Sequence, residues 1–397
     1  MKQIHGGVTA APGFKAAGVH AGLKDSHQKD FAIILSDSQA TAAGVFTQNR
    51  VCAAPVILCR DHIRNQVANA IVINSKNANA CTGHQGLEDA YYTAKLAGES
   101  LGVNSNSILV CSTGVIGQQL PMDIIENGIH LAVQMLDGDG GHDAAQAIMT
   151  TDIVPKEVAV EAKIDGHSII IGGMAKGSGM IAPNMATMLS FLTTDVNISP
   201  EILQTALQTA TRKSFNRITV DSDTSTNDTV LILANGVAEN PQITAHHQEF
   251  QNALDFVCIE LAKMIARDGE GATKLLEIVI NNARNENDGT LAARAVAESP
   301  LVKTAVFAND ANWGRIMMAI GKSGAEFDQS NIEVWIGDCQ IVKNGVDARF
   351  DEQKATEQLN KDTANITIDL HSGHTGVTFW TCDYSYDYIK INAEYRT

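Results

Sequence analysis

Two residues that could do chemistry bracket one short stretch near the middle of this 397-residue chain, Lys176-Gly-Ser-Gly-Met-Ile-Ala-Pro-Asn-Met-Ala-Thr-Met188. Gly177-Ser178-Gly179 forms a flexible turn, and Pro183 can continue neither a helix nor a strand ladder. The residues that follow, 187–193, are β-prone and apolar enough for a buried strand. Thr187 therefore stands where a loop becomes a strand, directly behind the small Ala186. A rigid strand that holds a hydroxyl beside an accessible loop suits a nucleophile. Position alone does not single it out. Ser178, Ser190, Thr193 and Thr194 lie nearby, and most hydroxyls at strand starts satisfy local backbone groups.

Other candidates are scattered along the chain. An apolar strand over 107–111 runs on to Thr113-Gly114, and a glycine at a strand end lets an anion or another backbone approach its N–H. Thr150-Thr-Asp152 precedes the helix-breaking Pro155, and Glu270 sits between Gly269 and Gly271. The run 74–83 carries three asparagines, which tolerate left-handed backbone and suit a tight turn beneath a pocket. The carboxylates of Asp221-Ser-Asp-Thr-Ser-Thr-Asn-Asp228 raise the question of a divalent cation. No glycine turn or spaced Glu completes a calcium loop, so the segment reads as a solvated loop. Residues 314–323 end in Gly-Lys-Ser, but a phosphate loop would need Gly at 316, which is Ile.

The elements that must position these residues alternate in type. Strands are expected at 31–35, 55–58, 68–74, 107–111, 187–193, 229–234 and 304–308, with a further apolar strand following Glu270. A hairpin over 158–173 turns at Asp165-Gly166, the strongest such signal in the chain. Helical periodicity marks 86–102, 122–136, 143–149, 202–213, 250–267 and a segment from 290. The texture changes near 285, where a smaller second domain is expected. The pattern is that of a mixed α/β protein.

Composition narrows the function classes. With 29 basic against 45 acidic residues the net charge is −16, which argues against nucleic acid or an anionic membrane as partner. Seven scattered cysteines without a Cys-x-x-Cys pair imply a reducing, cytoplasmic compartment and no structural zinc. The start lacks the apolar core and cleavage site of a signal peptide, and no apolar run reaches the roughly 18 residues of a membrane helix. Sequons at Asn197, Asn227 and Asn365 then read as chance matches.

The 176–188 stretch resembles the self-cleavage segment of the ornithine acetyltransferase family, the glutamate N-acetyltransferases of arginine biosynthesis. The 74–83 run, Thr113-Gly114, the 221–228 loop, Asp268-Gly-Glu-Gly271 and the tail from Asp383 resemble further motifs of that family, in the same order. The resemblance implies an α/β, α+β-layered fold: an N-terminal-nucleophile-like αββα sandwich with a smaller C-terminal domain. It implies a cut between Ala186 and Thr187 that leaves fragments 1–186 and 187–397, assembling as α2β2. Thr187 would carry the acetyl group of N-acetylornithine to glutamate, with its freed α-amine, of reference pKa near 7.7–8.0, as the base. Thr113 and Gly114 would form the oxyanion hole. Lys176 and Thr150 would hold the substrates' common α-carboxylate, and Glu270 the ornithine ammonium. Asn392 and the terminal Thr397 would reach the same pocket. No cofactor or metal is implied, and acetyl-CoA as a second donor stays open. The rival readings are an N-terminal-nucleophile amidohydrolase or aminopeptidase, which would pass the acyl group to water, and a binding protein whose chain stays whole.

Overall fold

The computed structural model describes residues 1–182 and 188–394. They fall into two compact units, one of 1–216 with 223–261, the other of 217–222 with the rest of the described chain from 262. Both combine sheet and helix, so the mixed α/β expectation holds.

The first unit is built on a nine-stranded sheet. Its strands are β1 (Lys2–Ile4), β2 (Phe14–Val19), β3 (Phe31–Phe46), β4 (Val67–Asn74), β5 (Ile108–Ser112), β6 (Lys156–Ile164), β7 (His167–Lys176), β8 (Leu189–Thr194) and β9 (Thr229–Ala234). The order is β1-β6-β7-β8-β9-β3-β4-β5, with β2 beside the first half of β3. The 16-residue β3 keeps β4 along one edge, with a register shift between Leu35 and Ala40, and changes neighbour on the other, from β2 over Phe31–Ser36 to β9 over Thr41–Phe46. β6 and β7 form the expected hairpin. Asp165 and Gly166 both have positive φ, 48° and 88°, as a two-residue turn matched to strand twist requires.

The helices here are α1 (Ala54–His62), α2 (Gly83–Leu101), α3 (Met122–Gln134), α4 (Gly141–Ala147) and α5 (Pro200–Lys213), with α6 (Gln248–Arg267) continuing into the second unit. Phe31, Ile33, Ile71, Ile73, Leu109 and Phe191 are among the buried core. The strand expected at 55–58 is instead the first turn of α1. Pro55 occupies a first-turn position, where its missing N–H costs nothing, and Pro55, Leu58, Cys59 and His62 bury one helical face. An apolar run of four residues fits either period; only its continuation to His62 decides.

In the second unit six strands lie in the order β13-β12-β11-β14-β10-β15. They are β10 (Leu275–Ala283), β11 (Glu333–Ile336), β12 (Cys339–Lys343), β13 (Val346–Asp347), β14 (Thr363–Asp369) and β15 (Thr375–Cys382). Helices α7 (Glu286–Ala297), α8 (Pro300–Phe307), α9 (Trp313–Gly321), α10 (Glu352–Leu359) and α11 (Tyr386–Glu394) complete it. The texture change near residue 285 falls inside this unit, just after β10, which lies between β14 and β15. The strand expected at 304–308 belongs to α8, capped by the Ser299 hydroxyl accepting from the Val302 N–H and burying Val302, Ala305 and Val306 along one side. No helix among the described residues is long and apolar enough to cross a membrane.

Candidate active site

β7 ends on Lys176, whose side chain is nearly buried. Its ammonium donates to the Thr150 hydroxyl at 2.8 Å and the Thr113 hydroxyl at 3.3 Å. Three of the residues singled out in sequence thus meet through one Nζ. Asp152 fixes the arrangement from below. Its fully inaccessible carboxylate accepts from Lys156 Nζ at 2.7 Å, the Gly177 N–H at 2.6 Å and the Thr150 N–H at 3.0 Å, with Lys176 Nζ 4.0 Å away. Burial by itself would raise this carboxyl's pKa. The ammonium groups of Lys156 and Lys176 and the N–H donors override it and hold the group ionised, well below the usual carboxylate range.

Thr113 and Gly114 follow β5 and are clamped by the turn after β4. The Thr113 N–H donates to Asn74 O at 3.1 Å, Val115 N–H to Lys76 O at 3.0 Å and Ala78 N–H to Val115 O at 3.0 Å. Gly114 has φ 132°, and a Cβ there would stand 2.1 Å from the Lys76 carbonyl carbon, so no other residue fits. Its N–H meets no acceptor among the described residues. The turn itself is wound from left-handed residues, Lys76, Asn79, Cys81 and Gly83. Of the three asparagines only Asn79 is left-handed. Asn74 and Asn77 serve as side-chain braces, donating to Asn77 O and to the carbonyls of Gln118 and Gln119.

A third brace corrects the solvated-loop reading of 221–228. Thr226, Asn227 and Asp228 are buried, and Asn227 Nδ2 donates to Ala78 O at 2.6 Å and Ser112 O at 2.8 Å, tying the asparagine turn to the end of β5. No cluster of three or more His, Cys, Asp or Glu among the described residues is placed to hold a metal ion.

The second unit holds the other pair. Glu270 lies in the turn after α6, buried, and its Oε2 accepts from Asn392 Nδ2 on α11 at 2.8 Å. The Ser385 hydroxyl donates to Gly271 O at 2.5 Å, fixing the start of α11 against the same turn. Through Asn392, α11 is therefore a partner of Glu270. Thr187, Ala186 and Thr397 lie outside the described residues. Sequence reasoning missed Lys156: its side chain is fully buried against Asp152, and nothing in the order of residues marks it as internal.

Chemically, the first cluster is suited to a developing negative charge. A hydroxyl that accepts from an ammonium keeps its own hydrogen to donate, and donates it more strongly for being polarised. Beside it stands the Gly114 N–H.

The model of the ArgJ family matches residues 15–397. The chain belongs to the ArgJ family. An arginine biosynthesis bifunctional protein ArgJ from Symbiobacterium thermophilum is 52% identical over 402 residues, covering all of both chains. One from Oceanobacillus iheyensis is 50% identical, over 99% of this chain and 97% of its own. Among solved structures, a chain of the arginine biosynthesis bifunctional protein ArgJ from Bacillus halodurans is 48% identical with a TM-score of 0.51; the match takes in all of that chain and 53% of this one. The family assignment agrees with the resemblance carried by the 176–188 segment and its companion motifs.

Proposed function

We propose that the protein moves the acetyl group of N-acetylornithine to glutamate through an acetyl-Thr187 intermediate, after cutting itself between Ala186 and Thr187. It is an enzyme of arginine biosynthesis by its place in the ArgJ family, and acetyl transfer is the chemistry its cluster fits. The observation that carries the reading is the Lys176 ammonium joined to both the Thr150 and Thr113 hydroxyls, beside the open Gly114 N–H.

In the first half-reaction the α-amine of Thr187 takes the proton of its own hydroxyl as the oxygen attacks the acetyl carbonyl. The tetrahedral oxyanion rests on the Thr113 hydroxyl and the Gly114 N–H; one such donor typically contributes about 3–4 kcal/mol. Collapse transfers the proton to the departing nitrogen, frees ornithine and leaves an acetyl ester on Thr187. The glutamate amine then attacks the ester through the same oxyanion site, and N-acetylglutamate leaves. We assign the common α-carboxylate to Lys176 and Thr150, and the ornithine ammonium to Glu270, Asn392 and Thr397. The relatives are named bifunctional, and we propose acetyl-CoA as the second donor.

Two observations support the cut. The fragment 187–397 is 211 of 397 residues, the 53% share at which this chain covers the whole of the solved Bacillus halodurans chain. The cut would also separate β7 from β8, which pair from Ile171↔Thr194 to Lys176↔Leu189, so the fragments would stay joined by the sheet. Assembly as α2β2 and a cytoplasmic location belong to the same proposal; the seven unpaired thiols, most of them buried, accord with a reducing compartment. Intact-mass spectrometry of active protein should show fragments 1–186 and 187–397, and Thr187→Ala should stay whole and inactive. Full-length species alone in active material would sink the proposal. Acetate release exceeding N-acetylglutamate formation would make the enzyme a hydrolase.

A further inference from the structure

Four lysines lie about the Thr150 segment, and two of them, Lys24 and Lys76, have been given no role. The loop between β2 and β3 is wound around Asp30, whose buried carboxylate accepts from the N–H groups of Ala21, Gly22 and Lys24. That winding sends the Lys24 side chain across to Met149, where Nζ donates to Met149 O and, on its own loop, to Lys29 O, both at 2.8 Å. Met149 is the neighbour of Thr150. The third N–H of Lys24 meets no acceptor among the described residues. Lys76, half-buried in the turn that presses on Gly114, likewise has no acceptor there for its ammonium.

Lys76 is brought to the same place by its neighbour Ser75, whose N–H donates to Asp30 O at 2.9 Å and whose hydroxyl donates to Ala147 O at 2.7 Å. Burial lowers the Lys24 pKa to about 8; Lys176 and Lys76 push the same way, against Asp30 and Asp152. Neither carboxylate is spare. Asp30 is taken by its backbone N–H groups and Asp152 by Lys156, Gly177 and Thr150. Four lysines, Lys24, Lys76, Lys156 and Lys176, thus share two carboxylates, Asp30 and Asp152, and such an excess of positive charge in a chain of net charge −16 marks a place for an anionic ligand.

We propose that Lys24 and Lys76 form a second anion subsite, which takes the side-chain carboxylate of the acceptor glutamate. The proposal rests on the acetyl-transfer reading. Both substrates carry an α-carboxylate, which Lys176 and Thr150 serve. Glutamate alone carries a second carboxylate, and the fold brings two lysines beyond Lys176 to the same segment, Lys24 through Met149 O and Lys76 beside Ser75, which holds Ala147 O. The subsite would let the site choose glutamate as acceptor over its uncharged amide.

The test separates the half-reactions. Enzyme is loaded with N-acetylornithine, the acetyl-enzyme is isolated, and transfer is followed with glutamate or glutamine as acceptor. A charge-assisted hydrogen bond contributes about 1.5–3 kcal/mol, so Lys24→Met and Lys76→Met should each raise the half-saturating glutamate concentration by roughly tenfold or more. Glutamine should be little affected, so the preference for glutamate narrows, and Lys24→Arg and Lys76→Arg should recover most of it. Unchanged glutamate half-saturation in both Met variants would overturn the proposal. So would a rise confined to acetyl-CoA as donor, which would give the lysines to its phosphates. Failure of wild-type enzyme to load would count against the acetyl-transfer reading instead; calorimetric binding of glutamate against glutamine to unloaded wild type, Lys24→Gln and Lys76→Gln then reads the subsite without chemistry. Equal affinities in all three proteins would refute it.

Discussion

Replacing Asp152 by Asn keeps the shape of the side chain and removes its charge, and the structure says what that must cost. The carboxylate and Lys156 Nζ, 2.7 Å apart, are both fully inaccessible, so the variant takes the Asp152 charge away from a buried ammonium. Breaking a buried pair from one side typically costs about 3–5 kcal/mol, whereas replacing both partners is often close to neutral. Asp152→Asn should therefore lose about 3 kcal/mol or more, and Asp152→Asn with Lys156→Met should recover most of the loss. Trp313, Trp335 and Trp380 all lie in the second unit, so tryptophan fluorescence cannot report this. Amide hydrogen exchange in β6 and β7 can, and the slowest amides should exchange roughly a hundredfold faster, since each 1.4 kcal/mol is a factor of ten. The folded pKa of Asp152 is depressed. Its stabilisation is complete above the unfolded value near 3.9 and drains away as pH falls below it. Acid unfolding of the wild type should show that component, and Asp152→Asn should lack it. Exchange within threefold of wild type in the single variant would refute the reasoning.

The remaining expectations concern turnover and the two clamps. Thr113→Ala should lower kcat by about 10²–10³ with KM little changed, while Thr113→Ser keeps most activity; an unaffected kcat in fully cut protein would leave Thr113 a strand end only. Gly114→Ala would set a methyl 2.1 Å from the Lys76 carbonyl carbon; we expect a destabilised protein that cuts itself slowly, read by thermal melting and by the fraction processed. Asn392→Ala removes the amide that donates to Glu270 and should raise KM for N-acetylornithine with kcat preserved. Deleting 394–397 should do the same if Thr397 takes part; an unchanged KM in either protein would make the tail structural.

What the sequence disclosed follows from how local each signal is. Asp165-Gly166 announces its hairpin because two positive-φ positions in a row admit few residues. Thr113-Gly114 was legible as a strand-end glycine, while the reason for that glycine, the Lys76 carbonyl pressed against it, arrives from 38 residues away in the chain. The short apolar runs at 55–58 and 304–308 fit either period in four or five residues, and what decides lies outside them: the continuation to His62 in the first, Ser299-Pro300 in the second. β11 to β15 went unread, although β14 alternates buried and partly exposed residues along most of its length; a half-covered sheet dilutes the pattern. Lys156, Lys24 and the pairing role of Asp152 escaped notice for a common reason. Their importance lies in burial and pairing, and charged residues on loops and strand ends are ordinarily solvated.

The central claim is that Thr187 carries the acetyl group, and peptide mass mapping of the protein after a brief exposure to N-acetylornithine without glutamate tests it most directly. A fragment beginning at Thr187 should appear with the added mass of one acetyl group on that residue, and the addition should vanish when glutamate is supplied, with N-acetylglutamate formed in equal amount. An acetyl group found on another residue, or turnover of N-acetylornithine by protein whose Thr187 never becomes acetylated, would contradict the account.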